Sequence, residues 1–139
     1  MQNQTEATPA KTTAQNPAPA QSAPGPANCP ATAFPEFLPL FLNDEDIQRK
    51  YTRFPLAQLY LEDGDYSEVT ENLSESEARF PLAPTIDEMN ESGLSWNIES
   101  EDDKQAEVKI HQDGTGYLIR YFFAKDGCWT LVRIENLSV

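Results

Sequence analysis

Two cysteines, one histidine and one compact basic run stand out as the side chains able to do chemistry in this 139-residue chain. Cys128 follows the Lys125-Asp126-Gly127 turn directly, and Cys29 ends a polar, proline-rich leader. In a reducing cytosol, two lone cysteines act as small apolar side chains, and Cys128 fits a core position. In an oxidising compartment a bridge is the default state. Pairing Cys29 with Cys128 would close a loop of about 100 residues, for which loop entropy sets a ceiling of about 4–5 kcal/mol. We expect that bridge, as a staple of the N-terminal side onto the last hairpin.

The histidine and the carboxylates point to no reaction. His111 is alone, beside the DGTG turn, without the spaced partners that a metal site or a Ser-His-Asp triad needs. It is expected to be an exposed strand residue. DGDYSEVTENLS opens like a calcium loop with Asp63, Asp65 and Ser67, but has Glu68 where the turn needs glycine and Ser74 where a bidentate glutamate belongs. Glu107, Asp113 and Glu135 lie on or beside expected strands, with nothing to single out a pair at working distance. No Gly-rich phosphate loop, C-x-x-C or G-x-S-x-G is present. We therefore assign no catalytic residue, no metal ligand and no cofactor.

The basic run QRKYTRF is the most distinctive polar feature. Arg49, Lys50 and Arg53 fall within five positions of an otherwise acidic region. Such a cluster balances charge at a helix C-terminus, or grips an anion or carboxylate through Arg49, Tyr51 and Arg53. The aromatics Trp96, Tyr121 and Trp129 fit a core, or in part the lining of a cavity.

The elements that position these side chains lie beyond the leader. Residues 1–28 carry only Glu6 and Lys11 as charged groups, and residues 1–30 hold six of the eleven prolines, so the net charge of −13 belongs to the remainder. That composition cannot offset its backbone entropy by burial, and a disordered tether over 1–30 is expected. The leader resembles the tether that follows the lipidated cysteine of bacterial envelope lipoproteins. The expectation is that a signal peptide and its cysteine have been removed and Met1 added, placing the protein in the periplasm or tethered to the outer membrane. No apolar run reaches the roughly 20 residues of a membrane span. The acidic surface argues against nucleic acid and favours a basic partner.

Residues 31–139 suffice for one α+β domain. Phe34, Phe37, Leu38 and Phe41 keep helical spacing, with Pro39 expected to bend or split the segment. Asn43 or Asp44 then caps a second helix running through Phe54, with Ile47, Tyr51 and Phe54 buried. A strand is expected from Pro55 to Leu61. Asp65 with Glu68 suggests a capping box for a short helix carrying Val69 and Leu73, though a polar strand fits as well. Thr85 with Glu88 is a cleaner box, and Gly93 suits that helix's stop. From Leu94 on, alternating apolar residues and the DGTG and KDG turns describe a four-stranded antiparallel meander, covered on one face by the helices.

Helices first, then a hairpin of the form YFF-x-x-DG-x-W-x-L-x-x-I, resemble the cone-like fold of the nuclear-transport-factor-two-like superfamily: N-terminal helices on a curved antiparallel sheet. More narrowly, Phe34, Phe37, Phe41, Asp44, Gln48, Phe54, Pro55 and Leu56 are similar to the pattern of an uncharacterised domain family of bacterial envelope proteins. Where that family carries an arginine this chain has Tyr51, flanked by Arg49 and Arg53. The resemblance implies a fold that hosts enzymes, binding proteins and immunity proteins alike. The expected function is a non-catalytic envelope binding module for a protein or small ligand. The alternatives are an acidic inhibitor or immunity protein that plugs a basic hydrolase, and a small cone-fold enzyme.

Overall fold

The computed structural model describes residues 29–139. The tether expected over 1–30 lies, apart from its last two residues, outside the described residues. Two helices open the domain: α1 (Phe34–Asn43) and α2 (Glu45–Lys50). They are followed by β1 (Thr52–Leu61), β2 (Glu68–Leu73), α3 (Ile86–Ser92), and the strands β3 (Ser95–Glu101), β4 (Gln105–Gln112), β5 (Tyr117–Asp126) and β6 (Cys128–Asn136). The six strands form one curved sheet in the order β2-β1-β6-β5-β4-β3.

The helical stripe of α1 is buried as its spacing requires: Phe34, Phe37, Leu38 and Phe41 are fully covered. Phe34, Phe37 and Phe41 all meet the Phe123 ring, and Phe34 meets Trp129 edge-on at 4.9 Å. Pro39 lies inside α1 without splitting it; the break comes at Asp44 instead, whose carboxylate accepts from the Asp46 and Ile47 amides and caps α2. The helix expected to run through Phe54 stops at Lys50, and Phe54 belongs to β1. A donor-less Pro55 in the next turn removes the support a continuing helix would need. The short helix expected after Asp65 is a strand, β2. Its threonine and valine pair with β1, and Asp65 caps only the Ser67 amide. The Thr85–Glu88 capping box and the left-handed Gly93 stop form as expected.

The four-stranded meander β3-β4-β5-β6 is antiparallel throughout. The sheet as a whole is mixed, because β1 joins β6 in parallel, with Gln58 opposite Ile134 and Tyr60 opposite Asn136. That pairing joins strands some seventy residues apart, and no local pattern encodes it. On one face of β5, Tyr117, Ile119, Tyr121 and Phe123 succeed one another. The α1 helix covers only the Phe123 end of this face.

Both cysteines, Cys29 and Cys128, are disulfide-bonded, in keeping with the expected bridge. The adjoining residue Thr32 accepts hydrogen bonds through its carbonyl from Trp129 Nε1 at 3.1 Å and Lys125 Nζ at 3.3 Å. No described helix is long and apolar enough to cross a membrane.

Candidate functional site

The half of the inner sheet face that α1 leaves uncovered is crossed by a strap, residues 80–85, between β2 and α3. Two side chains pin it at Leu82. Gln48, 1 % exposed, accepts the Leu82 amide proton at 2.7 Å and donates to the Phe41 carbonyl at 3.0 Å. From the other side the buried Tyr121 hydroxyl donates to the Leu82 carbonyl at 3.1 Å. The Asn43 side chain holds the strap's end by accepting the Ile86 amide at 3.0 Å. Each backbone group of Leu82 thus finds a partner that a buried segment outside regular structure requires.

Two open cavities flank the strap. The first, about 480 Å³, is floored by Ile119, Tyr121 and Ile134, with Gln58 and Asn136 on the same face and Glu71, Leu73, Glu77 and Arg79 as its wall. The second, about 580 Å³, lies between the strap and α3, with Leu94, Tyr117 and Ile119 below and Glu88 and Glu91 at the rim. Leu82, Ile119 and Tyr121 belong to both, so the two are lobes of one groove. Each lobe falls in the size range of small-molecule sites.

The electrostatics of the groove are lopsided. Four carboxylates and one guanidinium line it. The Ser74 backbone amide, donating at 2.8 Å, and its hydroxyl hold the Glu77 carboxyl below its ordinary range, so it stays ionised. Burial pushes both phenols, Tyr121 strongly and Tyr117 less, above the ordinary tyrosine range. They remain neutral, and Tyr121 serves as a hydrogen-bond donor to the strap rather than as a base.

Of the candidate site residues Arg49, Tyr51, Arg53, Trp96, Tyr121 and Trp129, Tyr121 alone lines the groove. Trp129 is core, packed on Phe34 and bonded to Thr32. Trp96 packs against the core from β3. Arg49 pairs with Glu45 at 3.0 Å and stacks over the Phe80 ring at 4.0 Å, while Tyr51 meets Phe37 edge-on. Arg53 is exposed on β1. The basic run therefore sits at the α2–β1 junction and lines neither lobe. Glu107 and Glu135 lie on the opposite face of the sheet, in ion pairs with Arg120 and Arg133, and His111 contacts Asp113 at 3.1 Å. The groove's polar residues carry no binding motif: Glu88 shows in sequence only as half of a capping box, and Gln58 as a carboxamide within the apolar LAQLYL run.

No family model matches the chain, and no curated protein matches it. Among solved structures it is similar to an NTF2-like protein from Bacteroides fragilis, with a TM-score of 0.56 and 22% identity over 76% of this chain. The fold is NTF2-like. The chain spans 47% of that protein's length, and at this identity the likeness extends to the fold alone. A Bacteroides uniformis protein solved by NMR aligns over 75% of this chain and 76% of its own, at 20% identity and a TM-score of 0.47. NTF2-like folds often form binding pockets; here the helices close one end of the sheet and leave the other as the two-lobed groove.

Proposed function

We propose that this NTF2-like domain is a non-catalytic binding module of the bacterial cell envelope, with the strap-divided groove as its site. The observation that carries the reading is the groove: an apolar floor that α1 leaves uncovered, edged by polar side chains and held open by a strap fixed at both backbone atoms of Leu82. The disulfide-bonded cysteines suit an oxidising compartment, and the tether's composition suits an envelope anchor. A catalytic role has less support, since the groove's two phenols are held neutral and its carboxylates stand on the walls rather than as a pair about a reacting centre.

The test is to block the groove without disturbing the core. Leu73→Arg and Ile119→Arg each place a long cation over the floor at half-buried positions. Material captured from the host's envelope fraction by the wild-type chain is expected to be lost with both variants, while their melting temperatures stay within several degrees of wild type. Retention of the same material by folded variants would contradict the groove as the site.

One observation favours an inhibitor as the second reading. The turn after β3 is a stiff acidic tip: the Asp102 carboxylate accepts from the Lys104 and Gln105 amides, both at 2.8 Å, and Glu99, Glu101, Asp102 and Asp103 are all exposed. Such a tip matches a basic cleft in charge.

A further inference from the structure

From the groove's charge and shape we infer that its occupant is an extended basic–aliphatic peptide segment of a partner protein, lying along both lobes with aliphatic side chains on the floor and lysine or arginine side chains at the walls. This rests on the groove being the binding site. Three features select that class.

The first is charge. Glu71 and Glu77 face a single Arg79 in one lobe, and Glu88 and Glu91 have no basic neighbour among the lining residues of the other. An anionic ligand would meet three excess negative charges here, in a chain of net charge −13. Hydrogen bonds from Ser74 hold the Glu77 carboxyl below its ordinary range, which favours its charged form. The second is the floor. Leu73, Leu82, Ile119 and Ile134 are aliphatic, Tyr117 offers a partly covered ring and Tyr121 lies buried beneath, so the body that rests there is aliphatic. The third is length. The lobes lie on either side of Leu82 and share Ile119 and Tyr121, so an occupant of both passes over the strap, which suits an extended chain better than a molecule enclosed by either lobe.

The carboxamides fit the same occupant. Gln58 and Asn136 stand on neighbouring strands on the floor side, and Asn136 uses its oxygen to accept the Ser138 amide at 3.1 Å, which leaves its NH₂ group to donate. Side-chain amides pair with peptide groups in either direction, since each carries both a donor and an acceptor.

The experiment is a ¹H–¹⁵N correlation titration of the full chain with a capped Lys-Leu-Lys-Val-Lys pentapeptide, the matching Glu-Leu-Glu-Val-Glu pentapeptide, and spermidine. The basic peptide is expected to shift the amides of Gln58, Leu73, Leu82, Ile119 and Tyr121. The acidic peptide should leave them in place, and spermidine should shift them far less. In Glu71→Gln/Glu91→Gln, which keeps the floor intact, affinity for the basic peptide should fall about three- to tenfold at low salt. Stronger shifts of the same amides by the acidic peptide, through Arg79, would overturn the cationic class while leaving the groove as a site. Equal shifts by spermidine would overturn the peptide in favour of a small amine. Shifts by the basic peptide confined to residues 99–103 would overturn it as the groove's occupant and assign it to the acidic turn. No groove shift at millimolar basic peptide would overturn the class alone, since the blocking variants decide the groove separately.

Discussion

At the scale of single residues, Gln48 does the most structural work for its size. It is a buried carboxamide that ties the C-terminal carbonyls of α1 to the Leu82 amide, so it fixes where the strap crosses the sheet. The sequence marks Gln48 only as one position of a resemblance, because a lone glutamine on a helix has the same appearance whether it faces solvent or a strap thirty-four residues away. Gln48→Leu fills the same space but leaves the Phe41 carbonyl and the Leu82 amide without partners in a buried site. The expected cost is about 2–6 kcal/mol, at roughly 1–3 kcal/mol for each of the two stranded groups. Urea denaturation of the two proteins measures it, and a change below about 0.5 kcal/mol would mean the strap is held without Gln48. Arg49 shows the reverse lesson. Its cluster is conspicuous in sequence, yet its guanidinium is taken up by Glu45, one turn away, and by the Phe80 ring, both structural partners.

At the scale of elements, legibility tracks the range of the interactions. The Thr85–Glu88 capping box, the glycine stop after α3 and the β3–β6 meander depend on residues close in sequence, within about twenty of one another, and each is readable. The parallel β1–β6 pair joins residues more than seventy apart and is not; β2 pairs with the neighbouring β1, but its polar residues fit a helix start and a strand alike, so its pattern leaves the two open. The β3–β4 turn is local, and its chemistry makes a definite statement about pH. The Lys104 amide foremost, with that of Gln105, holds the Asp102 carboxyl below its ordinary range. A group with a lowered folded pKa contributes stability that is present above its unfolded pKa, about 3.9 for aspartate, and is lost as the pH falls through the folded value. Asp102→Asn keeps an acceptor for both amides and removes the titration. Stability followed by urea from pH 6 to pH 2 is expected to fall less steeply below pH 4 in the variant. Superimposable acid limbs would show that the turn's carboxylate is not ionised preferentially in the folded state.

At the scale of the whole molecule, an NTF2-like sheet with helices over one end explains why one region became core and another became a groove. Phe34, Phe37 and Phe41 seal the Phe123 end through close ring contacts, and α1, at ten residues, is too short to extend that cover along the ten-residue strand β5. The remaining face is left to a strap with two prolines and three hydrogen-bonded anchor points, Gln48, Tyr121 and Asn43. Apolar periodicity and turn signals make the fold class readable, and the excess of acid makes a basic partner the natural expectation; the groove's walls carry the same sign as the surface. The site itself is hidden because its lining comes from six separate stretches of chain, none of which carries a motif of its own.

The groove as binding site and the acidic turn as inhibitory tip make opposite statements about where a partner touches, and photo-crosslinking separates them. A benzophenone amino acid is placed at Glu71 or Glu91 on the groove, and at Ser100 or Asp103 on the turn, in full-length protein exposed to the host's envelope fraction. Groove binding predicts a discrete adduct from positions 71 and 91, competed away by the Lys-Leu-Lys-Val-Lys peptide, with little from 100 and 103. Adducts formed from 100 and 103 alone, with none from the groove, would contradict it.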